Sequence, residues 1–197
     1  MGQRDIWDAE AATFDEEADH GLADPATREA WRRLLLGVLP PAPARVADLG
    51  CGTGTLSVLL AQEGYAVDGL DISPEMVERA RAKAAAAGVP VESGVGDAQA
   101  PDLPPAAYDV VLSRHVLWAM DDPVLALDRW LGLLAPGGTL LLVEGSWSTG
   151  AGVTAARAET LVRETGRAAV VRLLPEPVYW GKEITDERYL LVSAPAR

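Results

Sequence analysis

Residues 46–56 read VADLGCGTGTL, and no other segment constrains the fold as much. Val46, Ala47 and Leu49 suit a buried strand, and residues 55–63 read as a helix. A glycine turn joining a strand directly to a helix lies at the carboxyl edge of a parallel sheet, where ligands bind in such folds. The helix then turns free N–H groups and its positive dipole end toward the loop. The glycine spacing narrows the ligand. Dinucleotide loops run Gly-x-Gly-x-x-Gly. Here Gly50, Gly52 and Gly54 stand two apart, Thr55 takes the place of the third dinucleotide glycine, and Asp48 precedes the first by two residues. A carboxylate there would repel a pyrophosphate and would suit a cationic ammonium or sulfonium.

Strand and helix alternate along the chain. 45-RVADLG-50 and 65-YAVDGLD-71 read as strands, and Ser73-Pro74 caps a helix over 74–87 that Gly88 closes. A shorter strand spans 89–96, 108-YDVVLS-113 is another, and Asp122-Pro123 starts a helix over 123–134. Pro136-Gly137-Gly138 turns into 139-TLLLVEG-145, an apolar run typical of a strand buried on both faces. This spacing predicts a parallel sheet wrapped by helices, a doubly wound α/β fold. Residues 151–165 then predict a helix, and 168-AAVVRLL-174 and 188-RYLLVSA-194 predict strands.

Ahead of the sheet, Trp7, Ala11, Phe14 and Ala18 recur at helical spacing and predict one amphipathic helix that His20-Gly21 ends. Asp24-Pro25 starts a second, carrying Trp31, Leu34, Leu35 and Val38, which stops at 40-PPAP-43. The simplest division is a single domain over 1–197. It comprises an N-terminal helical cap at 1–43, a core at 44–145, and a C-terminal helix with the last strands at 146–197.

Composition limits the function. The net charge of −12 argues against a phosphate-backbone interface, so nucleic acid is an unlikely partner. Nine acids against Arg4 and Arg28 within residues 1–30 read as a solvated face. Cys51 is the single cysteine, which rules out an intrachain disulfide and a two-cysteine zinc set. The apolar runs are far too short to span a membrane, and MGQRDIWDAE lacks the pattern of a secretory leader. The expectation is a cytoplasmic protein, monomer or homodimer.

48-DLGCGTG-54 resembles motif I of the class I S-adenosylmethionine-dependent methyltransferases. The segments 65–71, 96-GDA-98, 108–120 and 133–145 follow in that family's order, so the resemblance covers about residues 44–145. The small single-domain members, similar to the ubiquinone/menaquinone C-methyltransferases and natural-product methyltransferases, fit best. The resemblance implies a Rossmann-like sheet of about seven strands, mostly parallel with an antiparallel C-terminal strand. It also implies S-adenosyl-L-methionine as cofactor and S-adenosyl-L-homocysteine as product. By resemblance, Gly50 and Gly52 hold the methionine end of the cofactor, with Cys51, Thr53 and Gly54 in the same loop. Asp48 orients the ammonium, and Asp71 accepts hydrogen bonds from the ribose hydroxyls. Ile72 packs on the adenine with Met76 beside it, and Gly96, Asp97 and Ala98 form the adenine motif. Ser113 and Arg114 stand where the fourth strand meets the loop facing the methyl group. Cys51 reads as a small packed residue, because no base near it is evident.

Methyl transfer from a sulfonium is an in-line displacement, so the protein mainly positions the acceptor and excludes water. A base is needed only where the acceptor must lose a proton. His115, in 113-SRHVLW-118, and His20 are the candidate bases, and each could equally serve its loop's structure. Arg114 could hold an acidic substrate or the cofactor carboxylate. Trp7, Phe14, Trp118, Trp147, Tyr179 and Trp180 are candidate walls of an acceptor pocket. Ser113 occupies the place where catechol-type relatives set a metal-binding acid, so no metal is expected. The expected activity is transfer to O, N or C of a small molecule. A protein or RNA acceptor, or cofactor binding without transfer, are the alternatives.

Overall fold

The structure, a computed structural model, describes residues 2–194. Its elements run α1 (Gln3–Glu10), a helical turn at Phe14–Glu16, α2 (Ala18–Gly21), α3 (Pro25–Leu36), β1 (Arg45–Leu49), α4 (Thr55–Gln62), β2 (Ala66–Asp71), α5 (Pro74–Ala87) and β3 (Val91–Val95). They continue with β4 (Tyr108–Arg114), a turn at Leu117–Ala119, α6 (Pro123–Gly132), β5 (Leu134–Ser146), α7 (Ala155–Glu164), β6 (Val170–Leu173), α8 (Pro177–Trp180) and β7 (Glu187–Ser193). The strands form one sheet in the order β3-β2-β1-β4-β5-β7-β6. Neighbours pair parallel, except that β7 runs antiparallel to both β5 and β6. Strand order reverses between β1 and β4. That reversal opens a crevice at the carboxyl ends of the strands.

Alternation along β1 fixes the layers. Val46 packs into one core with Trp31 and Leu35 of α3 and Leu59 of α4. Ala47 and Leu49 pack into the other, with Leu127 and Trp130 of α6 and Leu161 of α7. Local signals set the helix ends. Ser73 Oγ accepts from Met76 N–H at 3.1 Å, and Gly88 closes α5 in the left-handed conformation. Asp24 and Asp122 cap α3 and α6 in the same way, each ahead of a proline. β5 begins at Leu134, ahead of the expected 139. The pairing with β4 absorbs Pro136-Gly137-Gly138 as an irregularity between Tyr108 and Val110.

The N-terminal region differs from expectation. The single helix expected through Trp7 and Ala18 is broken into α1, the turn and α2. Thr13 leaves helical geometry at φ −114°, and Glu17 is extended. Polar ties to the sheet side override the helical period here. Asp15 pairs with Lys83 at 2.8 Å and accepts from the Thr53 hydroxyl, and Ser73 Oγ donates to Asp8. Leu22, not Gly21, takes the left-handed position that ends α2. α3 belongs to the layer covering the sheet, with Trp31 fully buried and its Nε1–H donating to the Tyr179 carbonyl at 2.8 Å. No helix among the described residues is long and apolar enough to cross a membrane.

Candidate functional site

A cavity of about 470 Å³ lies at the crevice, walled by the ends of β1, β2 and β4 and by the segment from α1 to α2. Its size suits a small ligand. The loop after β1 forms one wall. Gly50, Gly52 and Gly54 sit at φ +70°, +55° and +76°, which favours glycine at each. Space requires it as well at two of them. A Cβ at Gly50 would collide with Val116, and one at Gly54 would stand 2.8 Å from Ala80 Cβ in α5. Gly50, Cys51 and Gly52 face the cavity.

The acids stand beside this bare backbone. Asp48 lines the cavity and accepts from the Ser57 hydroxyl. Burial pushes its pKa up to about 6, against the pull of Ser57 and Arg114. Asp71 accepts from Ser73 N–H at 2.9 Å on one oxygen and from Gly52 N–H at 2.8 Å on the other. It therefore shapes the glycine loop while facing the cavity. Burial raises its pKa, opposed by those two N–H groups. Ile72 and Met76 form an apolar wall, and the exposed Asp97 closes the far end with Ala98. Burial holds the Cys51 thiol protonated, so it offers no nucleophile.

The opposite end is built from side chains. His115 is a non-glycine residue in the left-handed region, at φ +59°. Such a conformation costs about 1–3 kcal/mol and persists only where the surroundings enforce it. Here its N–H donates to Val143 O at 2.9 Å, and its carbonyl accepts from Trp118 Nε1 at 2.8 Å. Glu144, fully buried on β5, accepts from Val116 and Leu117 N–H at 2.9 and 2.7 Å. Burial pushes Glu144 up to about 8, so it is mostly neutral at pH 7. The His115 ring stands 5.2 Å from Trp147 and 6.1 Å from Trp180, while His20 stacks on Phe14 at 4.1 Å. Burial first, then the Arg114 charge, lowers both imidazoles, His115 well below its ordinary value. His115 Nε2 and His20 Nδ1 are buried without hydrogen-bond partners. Arg114 donates to the Asp19 carbonyl and ties β4 to α2.

Several predicted site residues lie elsewhere. Ser113 is fully buried with its hydroxyl unpartnered and does not line the cavity. Its neighbour Arg114 takes the cavity-facing place, and alternation along β4 turns Ser113 away. Thr53 bonds Asp15 and Lys83 outside the cavity. Gly54 caps α4, and Gly96 joins β3 to β2 through its N–H on the Asp71 carbonyl. Tyr179 and Trp180 pack against Trp31 in the core, behind His115 and not on the cavity surface. Trp7, Phe14, Trp118 and Trp147 do line it. Sequence reasoning missed Asp19, Glu144 and Arg188. A charge inside the apolar strand runs 139–145 and 188–194 was the available signal for the last two. Asp19, His20 and His115 could each offer one ligand atom within 4.8 Å of the others. A divalent ion there would share Asp19 with the Arg188 guanidinium, 3.8 Å away.

The fold and the site thus define a doubly wound α/β protein with a small-ligand-sized cavity at its switch point. Over residues 47–142 the chain matches the family described as a methyltransferase domain. It is 32% identical over 148 residues to a ubiquinone biosynthesis O-methyltransferase of Xylella fastidiosa, covering 74% of this chain and 56% of that protein. It is 38% identical over 117 residues to a demethylmenaquinone methyltransferase of Thermus thermophilus, covering 58% of this chain and 53% of the other. The chain thus spans just over half the length of these curated relatives. The magnesium protoporphyrin IX methyltransferase of Synechocystis, solved with bound SAH, has the same fold. Its TM-score is 0.76 at 20% identity, with 98% of this chain and 97% of that one covered.

Proposed function

We propose that the chain transfers a methyl group from S-adenosylmethionine to a small organic acceptor. The observation that carries this reading is one cavity with two differently built ends. Bare backbone at Gly50 and Gly52 lies beside Asp48 and Asp71 at one, and aromatic rings with two neutral histidines close the other. The relatives named for quinone methylation support a small acceptor. The single cysteine, half-buried and held protonated, suits the reducing cytoplasm.

The residues fit the cofactor. Gly50 and Gly52 leave room for close approach, and the Asp48 carboxylate matches an ammonium. The Asp71 oxygens retain accepting capacity beyond their backbone bonds, enough for ribose hydroxyls. Ile72 and Met76 offer an apolar wall to a base, and Asp97 a polar edge. When bound, the sulfonium supplies an activated methyl group. The chain's own work is then to orient the acceptor and exclude water. The segment from α1 to α2 covers the cavity, and the Glu144-anchored loop sets His115 against it. A neutral imidazole keeps one ring nitrogen free to accept, so His115 and His20 can each accept a hydrogen bond from an acceptor's O–H or N–H.

The test starts with thermal unfolding. S-adenosylhomocysteine should raise the melting temperature and NAD should not. No rise in folded protein overturns the cofactor assignment. Methyl-labelled S-adenosylmethionine with cell extract should then place label in the small-molecule fraction. Label confined to macromolecules overturns the acceptor class.

A further inference from the structure

Arg188, on β7, reaches the acceptor end of the cavity. Its side chain is 9% exposed, and its guanidinium lies 4.5 Å over the Trp180 ring. A guanidinium carries five N–H donors in a planar fork. Among the described residues none of them finds a hydrogen-bond acceptor. Nε is buried without a partner, and the nearest carboxylates, Asp19 and Asp186, stand 3.8 Å from Nη1 and Nη2. That is Coulomb range but beyond a hydrogen bond. The charge is held and the donors are left unused. Buried donors without partners are costly, and a ligand that supplies acceptors recovers that cost.

The shape of the deficit specifies the ligand. A guanidinium fork matches the two oxygens of a carboxylate. Arg114 adds a second positive charge nearby, while the rim acid Glu17 is already paired with Lys182 at 2.9 Å. Trp118 and Trp147, packed edge-on 5.5 Å apart, give the same cavity apolar surface. We infer that, given the proposed methyl transfer, the acceptor is a small organic carboxylate with an apolar body, and that Arg188 receives its carboxylate. Arg114 and burial keep both neighbouring imidazoles neutral, so charge recognition rests on the guanidiniums. Asp19 faces the same guanidinium and repels an incoming carboxylate. The two residues therefore act on affinity with opposite signs.

Calorimetric titration with benzoate, phenylacetate and cinnamate tests this, on the protein alone and saturated with S-adenosylhomocysteine. Benzamide and phenylphosphonate serve as controls. At least one carboxylate should bind saturably, with benzamide tenfold weaker or worse. Arg188→Met should weaken it at least tenfold while changing S-adenosylhomocysteine affinity less than threefold. Arg188→Lys, which keeps the charge and loses the fork, should weaken it about tenfold, and Asp19→Asn should strengthen it severalfold. No saturable carboxylate binding, equal binding of benzamide, or tighter phenylphosphonate overturns the assignment. Carboxylate affinity unchanged in Arg188→Lys or lowered in Asp19→Asn does so too. Carboxylate binding without any S-adenosylhomocysteine binding would overturn methyl transfer and leave the Arg188 seat standing.

Discussion

The two ends of the cavity are made differently. At the glycine end, most contacts come from backbone and from residues close in sequence. Gly50 and Gly52 follow β1 directly, and Asp71 and Ile72 follow β2. At the aromatic end, His20, His115, Trp147 and Arg188 come from four separate places in the chain, and Phe14 bridges the two ends, its ring against Gly52 and stacked on His20. The first end leaves little freedom to the sequence, because positive φ and close approach demand glycine. The second is a set of side chains that can be exchanged without disturbing the sheet. A constant ligand suits the first end and a variable one the second.

The sharpest way to break that contrast is at the rigid end. Gly50→Val puts a β-branched residue at φ +70° and drives it into Val116. Backbone strain and overpacking each cost about 1–3 kcal/mol. S-adenosylhomocysteine affinity should fall about a hundredfold or more by calorimetry. Wild-type affinity in this variant would mean that the loop does not hold the ligand. Asp71→Asn comes next. It keeps the shape and removes a charge that accepts hydrogen bonds. With such bonds worth about 1.5–3 kcal/mol, affinity should drop about ten- to a hundredfold. An unchanged constant would remove Asp71 from the ligand contacts and leave it as the loop's anchor.

Asp48 provides a milder probe. Its pKa is raised to about 6, and an ammonium partner favours the ionised form. Cofactor affinity should therefore hold above pH 6 and decline below it, by at most about tenfold per unit. Asp48→Asn should bind weakly with a flattened profile. An identical acid limb in that variant would assign the titration to another group.

The difference between the ends also explains what could be read from the chain. Strand and helix alternation, the capped helices and the glycine loop are local, and 48-DLGCGTG-54 places its own ligand wall. The aromatic end is not local. Trp147 and Trp180 are indistinguishable as sequence, yet one lines the cavity and the other lies behind His115 in the core. Ser113 and Arg114 are adjacent, and only the pleat decides which faces inward. The break between α1 and α2 depends on Lys83 and Thr53, far along the chain, holding Asp15.

Glu144 joins the two ends, and its prediction is read in stability and not in ligand affinity. It anchors the loop that carries Val116 onto Gly50 and His115 toward the acceptor. Its folded-state pKa of about 8 lies above the ordinary 4.5. The stability this raised value contributes is fully present below about 4.5 and is lost as pH rises through 8. Glu144→Gln mimics the protonated form, since its amide oxygen can accept from the same two N–H groups. At pH 5 the variant should melt close to the wild type. Its advantage should then grow toward pH 8, with a slope of at most about 1.4 kcal/mol per unit. A melting-temperature difference that stays flat from pH 5 to pH 8.5 would show that Glu144 carries its charge through folding. The loop would then be held by an ionised carboxylate, and the two ends would be coupled through charge instead of through a neutral hydrogen bond.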